Sequence, residues 1–358
     1  MAAPSRPPVT SIQQPVAGSP PIALRLHAIW QAQRLAAVAD QELPSAIDAM
    51  MKYHVDVGFF GIRTDGMRNI EGFGPHGDVR VALAPNRNKV PIARDVDGQG
   101  SCGLCKPPFP SERGMAWRDW RVWPNAFPYV PTSMQHILLT SAHHQPQSFA
   151  PSVLADMLDF QTVAAGGRPL TMHYNGIAGN SQHHLHWQAT REITPLQTAI
   201  DAGRLPLAPC VTAPDGRVET YDHGFFAGML VSGSKSFVVR QATRIVEKLN
   251  QDPTTRGAYN LVLLVPRAGR FRLSIVARRP DNLRPEIGSF GRRSIGAFNT
   301  AGVLVVPADD LPDDFAEAIT PAVRATIVPP NELPWLADLG HESSVQLPGV
   351  MQPERSAA

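Results

Sequence analysis

The sequence predicts an α+β fold in which two similar halves are built around a mostly antiparallel sheet. Between residues 120 and 193 the apolar pattern runs strand, strand, helix, strand, loop, strand. Residues 235–328 repeat these kinds of element loosely, without an exact sequence repeat. Strands that follow one another closely in the chain usually pair antiparallel, and segregated strands and helices are typical of α+β folds.

In the first half, apolar spacing at Leu24, Ile29, Leu35 and Ala36 predicts a helix. A second helix follows from about residue 44 to 53, and alternation over 79–85 predicts a strand. Residues 120–123 and 136–140 are expected to form neighbouring strands. Residues 150–167 form a helix that ends at glycines, and strands at 170–176 and 184–193 flank a loop rich in Gly, Asn and Ser.

In the second half, residues 235–251 have the pattern of a helix. Residues 259–266 and 271–279 are expected to be strands around a turn, and 301–308 another strand. A last helix is expected at 313–328, interrupted by Pro321. We expect a disordered arm at 1–21, a catalytic half at 22–200, a second α+β half at 201–343 and a disordered tail at 344–358.

Composition excludes several classes of protein. The 358 residues are 43% hydrophobic and 18% charged, which is typical of a soluble globular protein. A net charge of +2 gives no case for nucleic acid or an acidic membrane as partner. No apolar run approaches the ~20 residues that span a bilayer, and the N-terminus lacks the apolar core of a secretory signal. The three cysteines suit a reducing compartment, so we expect a cytoplasmic protein.

The stretch NSQHHLHWQ, residues 180–188, carries the most chemistry. In a strand, His184, His186 and Gln188 would share one face, with Trp187 on the other and His183 off the common face. Three interpretations are open: a polar surface strand, a metal site, and a nucleophilic histidine that attacks phosphorus. For the last, the preceding loop offers backbone N–H groups to phosphate oxygens, and Gln188 can donate a hydrogen bond but cannot act as an acid.

A second candidate is the pair Cys102 and Cys105, whose C-x-x-C spacing can hold one metal ion. Two reduced structural thiols are the alternative, and a redox role is disfavoured because the pair does not open a helix. Four basic residues could meet phosphates, although solvated surface charge is the simpler interpretation for each: Arg87, Lys89, Lys235 and Arg267.

Residues 181–188, SQHHLHWQ, resemble the S-x-x-H-x-H-x-Q signature of the galactose-1-phosphate uridylyltransferase branch of the histidine-triad superfamily. The form H-L-H-W-Q is most similar to GDP-hexose phosphorylases and is related to the motif of diadenosine tetraphosphate phosphorylases. Residues 120–144, with N-x-F-P and a terminal histidine pair, are similar to the nucleotide-binding strands of that superfamily. The resemblance covers about residues 79–307 and implies a HIT-like fold.

By this resemblance His186 would be the nucleophile, and Gln188 would hold the nucleotidyl phosphate. The resemblance also implies residues that would contact the phosphates or the nucleoside of the substrate: Ser181, Asn180, Asn175, Asn125 and Phe127. A structural zinc would be bound by four further residues, with His143 as the alternative third ligand: Cys102, Cys105, His144 and His184.

The expected activity is therefore a nucleotidyltransferase or phosphorylase acting on a nucleoside diphosphate sugar or a dinucleoside polyphosphate through a nucleotidyl-histidine. The expected partners are a small nucleotide substrate and a phosphate or sugar-phosphate acceptor, with a homodimer as an open alternative for assembly. A HIT-like hydrolase and a non-catalytic, zinc-stabilised nucleotide-binding protein remain as the other interpretations. Neither the base nor the sugar follows from the sequence.

Overall fold

The computed structural model describes residues 21–32, 35–59, 67–70, 79–83, 102, 104–105, 114–126, 128–176, 184–222, 224–306 and 311–340. The helices of these residues are α1 (Ile22–Gln31), α2 (Leu43–Asp56), α3 (Pro151–Ala165), α4 (Pro195–Asp201), α5 (Lys235–Gln251) and α6 (Phe315–Arg324). None of these described helices has the length and apolar content needed to cross a membrane.

The strands of the described residues form two sheets. In chain order they are β1 (Ala36–Ala37), β2 (Met67–Ile70), β3 (Val79–Leu83), β4 (Met115–Trp117), β5 (Trp120–Pro124), β6 (Ile137–Ser141), β7 (Thr171–Asn175), β8 (His186–Thr190), β9 (Leu207–Ala213), β10 (Gly216–Asp222), β11 (Ala227–Gly233), β12 (Tyr259–Arg267), β13 (Arg270–Ala277) and β14 (Val303–Val306). The large sheet has eleven strands in the order β1-β4-β5-β6-β8-β7-β12-β13-β11-β10-β9, and the small sheet is β14-β3-β2.

The large sheet contains the same arrangement twice. The chain order β4, β5, β6, α3, β7, β8 recurs as β9, β10, β11, α5, β12, β13, and the two sets meet where β7 pairs antiparallel with β12. Within this sheet only the pairing of β1 with β4 is parallel. The predicted α+β class with a mostly antiparallel sheet is confirmed.

Two apolar layers cover the large sheet. On one face, helices α1, α2, α3 and α5 pack against strand residues such as Leu139, Trp187 and Leu261. On the other face, over the second half, Val262 and Val276 pack against the small sheet, α4 and α6. Over the first half this second face carries polar side chains instead, including His186 and Gln188.

Most predicted helices and strands form, and the glycine stop of α3 is real. Gly166 ends that helix with φ 55°, and a Cβ there would lie 2.7 Å from Cβ of Pro44. The left-handed conformation and the close approach both require glycine.

Two boundaries differ from the prediction. The first helix ends at Gln31, and Ala36 instead pairs with Met115 at the sheet edge, because strand pairing outweighs the helical spacing there. Leu24 is 62% exposed, so the buried face of α1 is defined by Leu26 and Trp30.

The expected interruption at Pro321 is wrong, because α6 continues through it to Arg324. Phe315, Ile319 and Val323 of this helix are buried in the core of the second half. Their burial outweighs the hydrogen bond that proline cannot donate.

Candidate active site

Strand β8 carries His186 and Gln188 on the polar face of the sheet, between β6 and β7. His186 lies opposite Thr140, and Gln188 lies opposite Leu138 on one side and His173 on the other. Trp187 points to the opposite face and is 1% exposed in the apolar core. The alternation of the strand therefore brings the two side chains together, because residues two apart share a face.

The ring of His186 is held in one protonation state. Its Nδ1 lies 2.7 Å from the backbone oxygen of His184. A carbonyl oxygen can only accept, so Nδ1 carries the proton and Nε2 carries the lone pair. Burial lowers the pKa of His186 to about 4, which keeps the ring neutral near pH 7. A neutral imidazole with a free Nε2 is the form that can attack phosphorus.

Gln147, in the loop after β6, holds the backbone of His186. Its Oε1 accepts from the N–H of His186 at 2.8 Å, while its Nε2 donates to the oxygens of His186 at 3.1 Å and Asn175 at 2.8 Å. By strand register Asn175 stands opposite His186, yet the ladder of β7 and β8 ends at His173 and Gln188. The buried amide of Gln147 thus occupies the place of a peptide group between the two strands, at the level of His186.

The side-chain amide of Gln188 is oriented by three donors. Its Oε1 accepts from Nε2 of His136 at 2.9 Å, from the hydroxyl of Tyr129 at 3.0 Å and from Nδ2 of Asn125 at 3.4 Å. These bonds fix which end of the amide is the oxygen. Its Nε2 makes no hydrogen bond to any residue that the structure describes, so it is available to donate to an anionic ligand.

His173 completes this polar cluster. It is 1% exposed, its Nε2 hydrogen-bonds the hydroxyl of Tyr129, and its ring stacks on Phe298 with centroids 5.1 Å apart. Burial lowers the pKa of His173 to about 3, so it is neutral beside Gln188. The cluster therefore offers hydrogen bonds without adding a full charge.

Sequence reasoning did not name Gln147, Tyr129, His136 or His173 as site residues. For the two histidines a signal existed. His136 continues the alternation of Leu138 and Thr140 in β6, and His173 that of Asn175 in β7, so both fall on the face of Gln188. Gln147 and Tyr129 lie in loops, where alternation gives no direction.

The other predicted substrate residues are only partly placed. Asn175 and Asn125 lie on the polar face. Nδ2 of Asn125 donates to Oε1 of Gln188 and lies 3.1 Å from Nε2 of His136. Ser181, Asn180 and Phe127 lie outside the described residues, as does His183.

Cys102, Cys105, His144 and His184 form a cluster beside the start of β8. Their ligand atoms all lie within 4.8 Å of one another. Sγ of Cys102 is 3.4 Å from Nδ1 of His184, and Sγ of Cys105 is 3.2 Å from Nδ1 of His144. Tetrahedral zinc would place sulfur and nitrogen ligands about 3.5 Å apart, so the set fits such an ion.

The orientation of His184 also suits a metal. Its Nε2 lies 3.0 Å from the backbone oxygen of Ser141 and must donate to it, which leaves the Nδ1 lone pair facing the two thiols. His144, not its neighbour His143, is the second histidine of the cluster, and His143 is exposed.

Two of the four basic candidates are engaged in ion pairs. Nζ of Lys235 is 2.5 Å from Asp159, and Nη1 of Arg267 is 3.3 Å from Asp201. These pairs agree with the simpler interpretation of surface charge. Arg87 and Lys89 lie outside the described residues.

Comparison with known proteins identifies a shared fold. The family described as a domain of unknown function, DUF4922, matches residues 76–191, which is less than half of the chain. The chain has no match among curated protein sequences.

Three crystal structures of yeast Ap4A phosphorylase Apa2 resemble the chain. The complex with Ap4A has a TM-score of 0.57 at 15% identity, covering 80% of this chain and 96% of that one. The complex with AMP gives 0.55 at 17%, covering 84% and 95%. The third structure gives 0.58 at 15%, covering 80% and 96%. At these identities the likeness shows the fold, and the expected HIT-like fold is confirmed.

Proposed function

We propose that this protein is a nucleotidyl-transfer enzyme, a phosphorylase that cleaves a dinucleoside polyphosphate or a nucleoside diphosphate sugar through a nucleotidyl group on His186. One observation carries the proposal. The Nε2 lone pair of His186 and the free Nε2 donor of Gln188 share one face of the sheet, each fixed by hydrogen bonds to the rest of the site.

The fold supports a dinucleoside polyphosphate as substrate. The yeast Apa2 structures hold Ap4A in one case and AMP in another. The resemblance of SQHHLHWQ to the signature of phosphorylases and uridylyltransferases points to the same class from the sequence. A nucleoside diphosphate sugar offers the same diphosphate to His186, so it is the second substrate to be tested.

The first step forms a phosphorus–nitrogen bond. Nε2 of His186 attacks the α-phosphorus, and the bond from this phosphorus to the bridging oxygen breaks. The leaving phosphate takes the electron pair of that bond. Gln188 donates to a non-bridging oxygen, whose negative charge grows in the transition state.

In the second step an oxygen of inorganic phosphate attacks the same phosphorus. The phosphorus–nitrogen bond breaks, its electron pair returns to Nε2, and a nucleoside diphosphate leaves. Splitting the transfer into two displacements is the use of a covalent nucleophile.

The site suits leaving groups that need no proton. Gln188 does not titrate, and the pKa of neighbouring His173 is about 3, so neither supplies an acid near pH 7. A phosphate or nucleotide leaves as an anion, whereas an alkoxide would need a proton. Phosphorolysis should therefore exceed hydrolysis.

We assign the Cys102, Cys105, His144 and His184 cluster to a structural zinc ion. Bound zinc would supply stability rather than a reacting group, because all four ligand positions of a tetrahedral ion would come from the protein. His184 links the cluster to the nucleophile, since its backbone oxygen accepts from Nδ1 of His186.

The test is a labelling experiment with diadenosine tetraphosphate and nucleoside diphosphate sugars that carry radiolabelled α-phosphorus. Without acceptor, the wild-type protein should retain a label that acid removes and base does not, as expected for a phosphoramidate. His186→Asn should abolish the label and the overall reaction, whereas His143→Asn, an exposed histidine nearby, should retain both.

Inorganic phosphate should release the label as a nucleoside diphosphate. If water releases it equally fast, the hydrolase interpretation replaces the phosphorylase. If His186→Asn still carries the label, another residue is the nucleophile and the proposed mechanism is wrong.

A further inference from the structure

Arg278 is a buried cation without an acidic partner among the residues that the structure describes. It is 1% exposed. Its Nε donates to the backbone oxygen of Thr326 at 3.2 Å and its Nη1 donates to Oδ1 of Asn260, whereas Nη2 has no partner in the described part of the chain. No described carboxylate forms an ion pair with it. Burying an unpaired charge costs free energy, so this position needs a reason beyond packing.

The guanidinium remains charged under ordinary conditions. Burial lowers the pKa of Arg278 to about 9, which is still well above pH 7. The positive charge therefore persists in the folded protein and lacks a counter-charge among the described residues.

Arg278 is connected to the candidate active site through two amides. Asn260 accepts from Arg278 and donates through Nδ2 to Oδ1 of Asn175 at 3.2 Å. The backbone N–H of Ala297 donates to the same oxygen at 2.7 Å. With its oxygen saturated, Asn175 has only Nδ2 left, and this group makes no hydrogen bond to any described residue.

Strand register places this free amide beside the nucleophile. Asn175 stands opposite His186 on one side and pairs with Asn260 on the other. Asn175 thus repeats the arrangement of Gln188: an amide whose oxygen is held by the protein and whose nitrogen is free, on the face of His186.

The repeat within the sheet gives Arg278 a matching place. Two residues before Asn175 lies His173, which pairs with Gln188. Two residues before Asn260 lies Ala258, whose oxygen accepts from the backbone N–H of Arg278 at 2.9 Å. Asn175 and Asn260 pair where the two halves meet. Arg278 therefore lies opposite the residue two positions before Asn260, just as Gln188 lies opposite the residue two positions before Asn175, and Arg278 is the counterpart of Gln188 in the second half.

We propose that Arg278 is a positioning residue that acts through Asn260 to fix Asn175 as a second amide donor to phosphate, and that its charge balances the bound anion. The ligand class is a phosphate ester or polyphosphate, and its identification as a nucleotide rests on the proposed function. The free Nδ2 of Asn175 and the unpaired guanidinium then have one explanation.

The size of the effect follows from the geometry of the sheet. The guanidinium of Arg278 bonds the side chain of Asn260, and Asn260 lies two strand spacings, roughly 10 Å, from His186. A unit charge at that distance from a phosphate, with an effective dielectric constant of about 20, changes affinity on the order of tenfold. Loss of the hydrogen bond to Asn175 would add to this factor.

The experiment measures binding of AMP, adenosine and inorganic pyrophosphate by calorimetry. Arg278→Met should weaken AMP and pyrophosphate about tenfold and leave adenosine unchanged. Its melting temperature should change little, because removal of an unpaired buried charge offsets the hydrogen bond that Oδ1 of Asn260 loses, while the oxygen of Thr326 still accepts from the N–H of Arg279. The matched control is Arg279→Met, which removes the neighbouring guanidinium, paired at the surface with Glu332.

Asn260→Asp provides a second variant of unchanged size. The carboxylate would pair with Arg278 and could not donate to Asn175, so the folded protein should lose affinity for AMP at least as strongly. Full AMP affinity in both variants would overturn the proposal and leave the proposed function standing.

A wild-type protein that binds pyrophosphate in an Arg278-dependent way, but no nucleotide, would support the role of Arg278 and overturn the nucleotide assignment. Binding of neither ligand would overturn both.

Discussion

Replacing Gln147 with leucine removes the side chain that holds the peptide group of His186. Three backbone groups lose their partner: the N–H and the oxygen of His186, and the oxygen of Asn175. Each buried polar group left without a partner costs about 1–3 kcal/mol. For three such groups we expect the free energy of unfolding to fall by about 3 kcal/mol, the low end of that sum.

The effect on chemistry should be larger than the effect on binding. Without Gln147 the hydrogen bonds that bridge β7 and β8 at the level of His186 are lost, so the ring of His186 would shift. Misplacement of a reacting group by about 1 Å can cost on the order of 100-fold in rate. We expect adduct formation on His186 to slow by about this factor, while affinity for AMP changes little, since the hydrogen bonds of Gln147 to described residues go to backbone groups.

The assay combines urea unfolding with single-turnover labelling at saturating substrate, under conditions where the variant is folded. Gln145→Leu is the matched control. Gln145 is exposed, and it accepts a hydrogen bond from the N–H of Leu185 through its backbone oxygen, which the substitution keeps. The reasoning fails if Gln147→Leu forms the adduct at the wild-type rate, or if its loss of rate is explained entirely by its unfolded fraction.

Three further predictions follow from the site. Cys102→Ser should lower both the zinc content, from about one ion per chain, and the melting temperature, because structural zinc contributes folding energy; metal analysis by mass spectrometry decides this. Gln188→Glu should reduce turnover at least 100-fold at pH 7, since a carboxylate repels phosphate where an amide donates; steady-state kinetics measure it. The folded pKa of His173 lies below its unfolded value of 6.5, so its contribution to stability is complete above pH 6.5 and is lost as pH falls toward 3. His173→Gln should therefore show a shallower fall in unfolding free energy between pH 6.5 and 4 than the wild type.

Strand alternation was enough to place His186 and Gln188 on one face, because that relation is local. The cysteine pair was indicated by its C-x-x-C spacing, whereas its grouping with the distant His144 and with His184 came from the resemblance, since no local pattern relates residues 39 positions apart. The set that gathers in the structure is the one expected, and the identity of the ion remains a prediction.

What the sequence could not show depends on packing across the sheet. Strand β9 contains Pro209 and exposed residues, so it has no clear alternation, and it forms because β10 provides a partner. Residues 278–293 contain five arginines, and the sequence pattern does not distinguish Arg278 from the other four. Only the layers above it and its bond to Asn260 make it a buried cation.

His186 is held on two sides by groups that carry no charge, and Gln188 on the same face is fixed in the same way. The ring of His186 bonds the backbone of His184, which is anchored in the cysteine–histidine cluster; its peptide group bonds Gln147; and its neighbour Gln188 is fixed by Tyr129 and His136. A carboxylate beside the ring would raise its pKa and repel a phosphate substrate.

Neutral donors avoid both effects, but they cannot neutralise an anion. A site of this kind needs a positive charge at some distance from the nucleophile. From there the charge attracts phosphate, but it does not contact the imidazole and so does not change its protonation. Arg278, connected through Asn260 to Asn175 and buried without an acidic partner among the described residues, meets that requirement.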